Sequence, residues 1–96
     1  MITPDDLDPE IQRSYVQFKQ LPDGRLCGVL RLMFHWTIHV DIDHSGYADK
    51  YCYQTLPGAL TALIEWDGTG DPDGWHRHFK TGRRRDLKTG EEWIAW

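Results

Sequence analysis

Cysteine is scarce in this chain. Its two cysteines, Cys27 and Cys52, form neither a CxxC pair nor a zinc-ligand spacing. The spacing therefore gives no indication of a redox motif or a structural zinc site, and we expect two half-buried free thiols in a reducing compartment. A disulfide between them would require neighbouring strands of suitable geometry.

Long hydrophobic runs are also missing. No apolar segment approaches the roughly 20 residues that a helix needs to span a bilayer. The N-terminal sequence MITPDDLDPE is acidic and has no apolar core, so it predicts no secretion signal. We expect a cytoplasmic protein that has no membrane partner.

The composition is that of a globular protein. The 96 residues are 40% hydrophobic and 12% aromatic, which argues against a disordered chain and suits a single domain over residues 1–96. A chain of this length buries roughly 60–65% of its unfolded surface, so its core is small.

Charge is distributed unevenly. The net charge is −4, but residues 37–74 sum to −6 and residues 75–88 sum to +5. The weakly negative charge of the whole chain argues against a protein that coats nucleic acid without sequence preference. A block of +5 within 14 residues nevertheless indicates a local anion-binding surface.

The N-terminal half combines helix-start signals with strand patterns. Residues 1–13 are predicted to form an N-terminal arm or a short helix, because Thr3-Pro4 and Asp8-Pro9 each place an N-capping side chain before a proline. Residues 14–54 are predicted to form antiparallel strands, separated by turns at Pro22-Asp23-Gly24 and Asp43-His44-Ser45-Gly46.

A two-residue period between residues 25 and 43 is the clearest periodic signal. The apolar residues stand at even positions: Leu26, Leu30, Leu32, Phe34, Trp36, Ile38, Val40 and Ile42. The polar ones stand at odd positions: Arg25, Arg31, His35, Thr37, His39, Asp41 and Asp43. This pattern predicts one buried and one wet sheet face. Since typical strands have about 5–6 residues, we expect a break near Gly28 or His35.

A helix is predicted over residues 55–67, followed by a turn-rich basic and aromatic segment over residues 68–96 that ends in a hairpin. Thr55 is the predicted cap, Leu56, Leu60, Leu63 and Ile64 form one apolar stripe, and Gly68 follows the last turn. The fold class is therefore α+β, a mostly antiparallel sheet of about four to six strands with one main helix packed on one face.

The most prominent candidate binding surface is basic and aromatic. Its members are Trp75, His76, Arg77, His78, Lys80, Arg83, Arg84, Arg85 and Lys88. Guanidinium groups bind phosphates in a forked geometry, and interleaved aromatic rings can stack on bases. The alternative is an internal role, in which these cations lie against the acidic residues 37–74 with their aliphatic stems over tryptophan rings.

The histidines suggest a weaker hypothesis. His76 and His78 are two residues apart, which on a strand would place both on one side. Together with Asp41 or Asp43 they could hold zinc or another divalent metal. Solvated or hydrogen-bonded histidines explain the same spacing, and we assign no metal ligand and no cofactor.

Two acidic segments resemble ion-binding loops only in part. Asp41, Asp43, Ser45, Gly46 and Asp49 match positions of a calcium loop, but Cys52 stands where a bidentate glutamate is required. A turn stabilised by Asx side chains is the better interpretation. Residues 68–74 lack the GK[ST] ending of a phosphate loop, and we interpret them as turns.

The string WDGTGDPDGWHRH followed by TGRRR, together with the preceding HVDIDHSGYADKYCY, resembles small proteins of bacteria and their prophages. The resemblance covers roughly residues 35–86. No activity is established for that group, so no catalytic residue is carried over. The resemblance implies an accessory protein of a mobile element that acts by binding.

The leading hypothesis is a non-enzymatic binding module that engages nucleic acid or a nucleoprotein. In it, the basic-aromatic surface binds the partner: Arg77, Arg83, Arg84 and Arg85 contact phosphates, while Trp75 and His78 stack or orient. The charge asymmetry motivates this prediction.

Two alternatives stay open. One is a protein-directed inhibitor or adaptor, such as a prophage factor that blocks a host defence complex, with Asp41, Asp43, Asp71 and Asp73 on its active surface. The other is a metal-assisted hydrolase that uses His76, His78 and nearby acids. No residue is assigned a catalytic role.

Overall fold

The computed structural model describes residues 2–32, 35–78 and 81–94. The chain begins with a 3₁₀ turn at Pro4–Asp6 and helix α1 at Pro9–Ser14. The other elements are β1 (Gln17–Gln20), β2 (Leu26–Leu32), β3 (His35–Val40), β4 (Asp49–Tyr53), α2 (Leu56–Glu65), β5 (Arg77–His78), β6 (Arg83–Arg85) and β7 (Glu92–Ile94).

The seven strands form one antiparallel sheet in chain order, from β1 to β7. The α+β class with one main helix is therefore confirmed, but the predicted count of four to six strands is too low. The C-terminal strands β5, β6 and β7 have only two or three residues each. Segments so short show no period of their own and join the sheet by pairing with their neighbours.

Helix α2 covers one face of the sheet, called here the helix face. Its N-terminus is capped by Thr55, whose Oγ1 accepts a hydrogen bond from the Gly58 N–H at 3.1 Å. At the other end, the Lys19 ammonium donates to the carbonyl oxygens of Ile64 (2.6 Å) and Trp66 (2.5 Å). A cation is favourable there because the last carbonyls of a helix carry partial negative charge.

The predicted apolar stripe of α2 is only partly correct. Leu63 is buried, but Ile64 is 67% exposed. The buried side of the helix is formed by Ala59, Ala62 and Leu63, which are spaced three and four residues apart and therefore share one side.

The two-residue period changes phase between β2 and β3. Val29 of β2 lies opposite Ile38 of β3, and directly opposite residues share a sheet face. Odd residues of β2 and even residues of β3 therefore face α2, which corrects the prediction of one continuous even face. The predicted wet face is also wrong for Thr37 and His39, which are 1% and 6% exposed.

The other side of the sheet, called here the opposite face, is covered in part by the N-terminal segment. Leu7, Leu26 and Ile42 are buried there. Gly28 lies under the Tyr15 ring, where a Cβ would come within 2.5 Å of a ring carbon. The strand β2 passes through Gly28 without a break, whereas β3 begins at His35 as predicted.

The two cysteines lie on different faces of the sheet. Cys27 packs in the core beside α2, whereas Cys52 is paired with Thr37 and Arg77 on the opposite face. Both thiols are free, as predicted, but they are buried, at 0% and 4% exposed, and not half-buried as expected. Burial raises the pKa of the Cys27 thiol to about 11.

The turn after β3 is held by an Asx side chain, as predicted. The Asp43 carboxylate accepts hydrogen bonds from the Ser45 N–H at 2.8 Å and the Gly46 N–H at 3.0 Å. Among the helices of residues 2–32, 35–78 and 81–94, none is long and apolar enough to cross a membrane.

Candidate functional site

The basic residues of the C-terminal segment are divided between the two faces of the sheet. Along β6 successive side chains alternate, so Arg83 and Arg85 share the helix face and Arg84 lies on the opposite face. Arg84 is paired with Arg77 of β5 and with Trp93 of β7. The eight predicted residues that the structure describes, all but Lys80, therefore do not form one continuous surface.

Trp75 is the centre of the group on the helix face. The guanidinium carbons of Arg83 and Arg85 lie 4.9 Å and 5.1 Å from its ring centre, and the Arg85 Nε donates to the Trp75 carbonyl at 3.1 Å. Trp75 is only 1% exposed. The predicted stacking role of Trp75 is thus wrong, because its ring has no free face for a ligand.

Arg83 is bound to the acidic part of the chain. Its Nη2 donates to the Asp71 carboxylate at 2.8 Å, and its Nη1 lies 3.9 Å from Glu92. The Tyr51 hydroxyl donates to the same Asp71 oxygen. The hydrogen bonds from Arg83 and Tyr51 lower the pKa of Asp71 against the opposing effect of burial. For Arg83, the internal alternative considered above is the correct one.

His78 is also held inside the protein. It is 4% exposed, and its Nε2 lies 3.1 Å from the Asp49 carboxylate. Its Nδ1 accepts from the Thr81 backbone N–H at 3.3 Å and lies 2.7 Å from the Thr81 hydroxyl. We therefore assign the proton to Nε2. A carboxylate, an imidazole and a hydroxyl bonded in succession also occur in the active sites of hydrolases. Here the three groups, from Asp49, His78 and Thr81, stabilise a turn in which the Gly82 N–H donates to the His78 carbonyl.

An open cleft of about 410 Å³ lies near the C-terminal hairpin, on the side of Arg84. It is called the Trp93 cleft and is lined by Gln54, His76, Arg84, Arg85, Asp86, Leu87, Lys88 and Trp93. Four of the eight predicted residues that the structure describes, His76, Arg84, Arg85 and Lys88, meet here. The Trp93 indole is 46% exposed, so this cleft offers an aromatic surface that Trp75 cannot.

The electrostatics of the Trp93 cleft favour an anion. Arg84 and Lys88 supply two cations. Burial, together with the charges of His35 and Arg84, lowers the pKa of His76, so this imidazole is neutral at pH 7. The Asp86 carboxylate accepts from the backbone N–H groups of Lys88 at 2.8 Å and Thr89 at 3.3 Å. It still carries a formal negative charge, so the charges of Arg84, Lys88 and Asp86 leave a net charge of +1 in the cleft.

The metal hypothesis does not agree with the histidine positions. His78 contacts Tyr51 on the helix face, whereas the His76 ring lies 5.4 Å from the His35 ring and lines the Trp93 cleft. The prediction that both histidines point to one side is wrong, because β5 starts at Arg77 and His76 precedes it. Within the described ranges, no three His, Cys, Asp or Glu side chains are grouped so as to hold a metal.

The acidic residues of the alternative hypothesis are also divided. A groove of about 180 Å³ at the end of α2 is lined by Ala62, Glu65, Trp66, Asp67, Asp71 and Asp73. Asp43 instead belongs to the turn after β3, and Asp41 precedes it with a left-handed backbone at φ 60°.

No protein-family model, curated protein or solved structure matches this chain. The function of the Trp93 cleft is therefore inferred from its own side chains.

Four lining residues of the cleft were not predicted: Gln54, Asp86, Leu87 and Trp93. Trp93 could have been found from the terminal hairpin, because a turn centred on Lys88-Thr89-Gly90 sets which residues face each other and so pairs Trp93 with Arg84. Gln54 reaches the cleft only through the order of the strands. The predicted site residue Lys80 lies outside the described residues.

Proposed function

We propose that this chain is a small non-enzymatic binding module that engages nucleic acid or a nucleoprotein through the Trp93 cleft. The observation that carries the proposal is the combination of Arg84 and Lys88 with the exposed Trp93 ring on one concave surface. In the setting that the resemblance implies, such a module would serve a mobile element as an accessory protein.

The chemistry of the cleft matches a phosphodiester chain. Guanidinium groups bind phosphate oxygens through paired N–H donors, and ammonium groups attract them as point charges. An exposed indole stacks on any base because every base has a π face. With His76 neutral, Arg84 and Lys88 contribute two positive charges to the cleft, against one formal negative charge from Asp86.

The proposal predicts weak, salt-dependent binding. Each neutralised phosphate contributes about −0.9 to the slope of log K against log salt for duplex DNA and about −0.7 for a single strand. Two contacts therefore give a slope between about −1.4 and −1.8. Titration of labelled DNA and RNA at several salt concentrations measures this slope; a slope near zero, or no binding, rejects the proposal.

A matched pair of variants locates the site. Arg84→Gln removes a cation from the Trp93 cleft, while Arg83→Gln removes the neighbouring cation of the same strand, which is bound to Asp71 on the helix face. We expect Arg84→Gln to weaken binding several-fold and Arg83→Gln to leave it close to the unmodified protein. Equal losses in both variants would place the contact elsewhere.

The second candidate is a protein-directed inhibitor or adaptor, for example an anti-defence factor. It is supported by the acidic groove that includes Glu65, Asp67 and Asp73, which presents closely spaced carboxylates as a nucleic-acid backbone does. Charge reversal of Asp73, which is exposed, should abolish this activity and spare nucleic-acid binding. The reverse pattern would reject this candidate.

A further inference from the structure

The shape of the Trp93 cleft distinguishes between classes of nucleic acid. Its volume of about 410 Å³ is near the lower end of small-ligand pockets, which span roughly 300–1,000 Å³. The Trp93 ring forms part of its wall and is about half exposed, and the neighbouring Leu87 is also exposed. The site is thus concave and small, with one flat aromatic surface.

We propose that the cleft binds one unpaired nucleotide of a single strand, with the base against Trp93 and the adjacent phosphate at Arg84 and Lys88. This inference rests on the proposed function and specifies its ligand. The Gln54 amide at the same wall both donates and accepts hydrogen bonds, so it suits the edge of a base without selecting one.

A duplex does not fit this surface. Double-stranded DNA shows its bases edge-on inside grooves, and proteins read them with a protruding helix or a two-stranded ribbon. The Trp93 ring lies in a depression, where it can stack only on a base that has left its own stack. A single strand supplies such bases without the free energy needed to unpair them.

The acidic residue beside Trp93 does not oppose this geometry. Glu92 precedes Trp93 in β7, and alternation places its side chain on the helix face. There its carboxylate lies 3.9 Å from the Arg83 guanidinium. The phosphate side of the cleft is therefore formed by Arg84 and Lys88 with Glu92 turned away.

Base stacking can be separated from phosphate binding with probes of equal backbone charge. We suggest fluorescence anisotropy at low salt with labelled 12-mers of deoxythymidine and of uridine, an abasic 12-mer of the same backbone, and a 12-base-pair duplex. One stacked base contributes a factor of about 5 to 150 in affinity. We expect at least one of the two base-containing strands to bind about 10-fold more tightly than the abasic strand.

Variants of Trp93 complete the test. Trp93→Ala should reduce the affinity for the base-containing strand to that of the abasic strand, whose own affinity stays unchanged, and Trp93→Phe should restore most of it. The matched control is Tyr47→Ala, because Tyr47 is an aromatic residue of nearly equal exposure, 45%, that does not line this cleft. Circular dichroism verifies that each variant is folded.

The outcomes separate this inference from the proposed function. Equal binding of the abasic and base-containing strands, or tightest binding of the duplex, overturns the single-strand inference while nucleic-acid binding stands. A Trp93→Ala variant with unchanged preference for bases also overturns it. Absence of binding to all four probes rejects both.

Discussion

Arg83 and Arg84 are adjacent in β6 but lie on opposite faces of the sheet. Arg83 is bound to Asp71 at 2.8 Å and lies over the buried Trp75 ring, whereas Arg84 lines the Trp93 cleft. Identical neighbouring residues thus have different surroundings, and their substitutions should have different effects on stability.

The stability difference between these arginines should be small but measurable. Arg83→Gln removes an ion pair whose side chains are about one-third exposed, and such pairs contribute about 0.2–1 kcal/mol. We therefore expect a loss of at most about 1 kcal/mol in the free energy of unfolding by urea. Arg84→Gln should change it less. A larger loss for Arg84→Gln would contradict the assignment of Arg83 as the internally paired residue.

The tryptophans Trp75 and Trp93 should differ much more. Trp75 is 1% exposed, so Trp75→Ala removes a large core side chain and should cost about 3–5 kcal/mol of stability. For a domain of this size, such a loss brings the protein near its unfolding threshold. Trp93→Ala should cost about 1 kcal/mol or less, since its ring is half exposed. Chemical denaturation of both variants measures the contrast, and similar losses would contradict it.

His39 should make the protein sensitive to mild acid. Its Nδ1 lies 2.8 Å from the Tyr15 hydroxyl, and its ring stacks on Tyr47 at 3.7 Å. Burial, with a further contribution from Lys50, lowers the pKa of His39 to about 4. The unfolded chain takes up the proton near pH 6.5. Stability is therefore fully present above pH 6.5 and falls by about 1.4 kcal/mol per pH unit towards pH 4.

Urea midpoints at pH 7, 5.5 and 4.5 check this expectation. His39→Phe keeps a ring against Tyr47 but cannot be protonated, so its stability should depend much less on pH in the same interval. The half-buried His76 adds a part of the slope in both proteins, and the difference between them isolates His39. Parallel pH profiles would show that His39 does not cause the acid sensitivity.

Gly28 should be sensitive to the addition of a single methyl group. A Cβ at this position would lie 2.5 Å from a Tyr15 ring carbon, so Gly28→Ala must displace the ring that is hydrogen-bonded to His39. Overpacking of this kind costs about 1–3 kcal/mol. In a Tyr15→Ala background the same substitution should cost much less, because the clash is absent. An equal cost in both backgrounds would place the strain elsewhere.

Local sequence chemistry predicted the elements well where a few residues determine them. Thr55 and the apolar stripe located α2, and the cap at Asp8 located α1, because capping depends on neighbours in the chain. The alternation of residues 25–43 correctly predicted strands. It could not show that the residues facing α2 are the odd ones in β2 and the even ones in β3. That change depends on how the chain reverses between the two strands, which sets the pairing of Val29 with Ile38.

The candidate site was predicted by composition but not by geometry. The concentration of cations and tryptophans after residue 74 directed attention to this region, and four of the predicted residues line one cleft. Which tryptophan is exposed could not be predicted, because the charges of the residues beside Trp75 and Trp93 do not determine how deeply each ring is buried. Their burial depends on long-range packing, such as the contact of Trp75 with Tyr51.

Because the sheet order follows the chain order, a strand emerging from the ribosome pairs with one already made. The longest connection, between β4 and β5, contains α2. Strands β1 to β4 can therefore assemble first, and the hairpin that forms much of the Trp93 cleft is added last. Substitutions such as Trp93→Ala should then speed unfolding and leave the refolding rate nearly unchanged in stopped-flow experiments. The late hairpin can thus vary in sequence without slowing the folding of the rest.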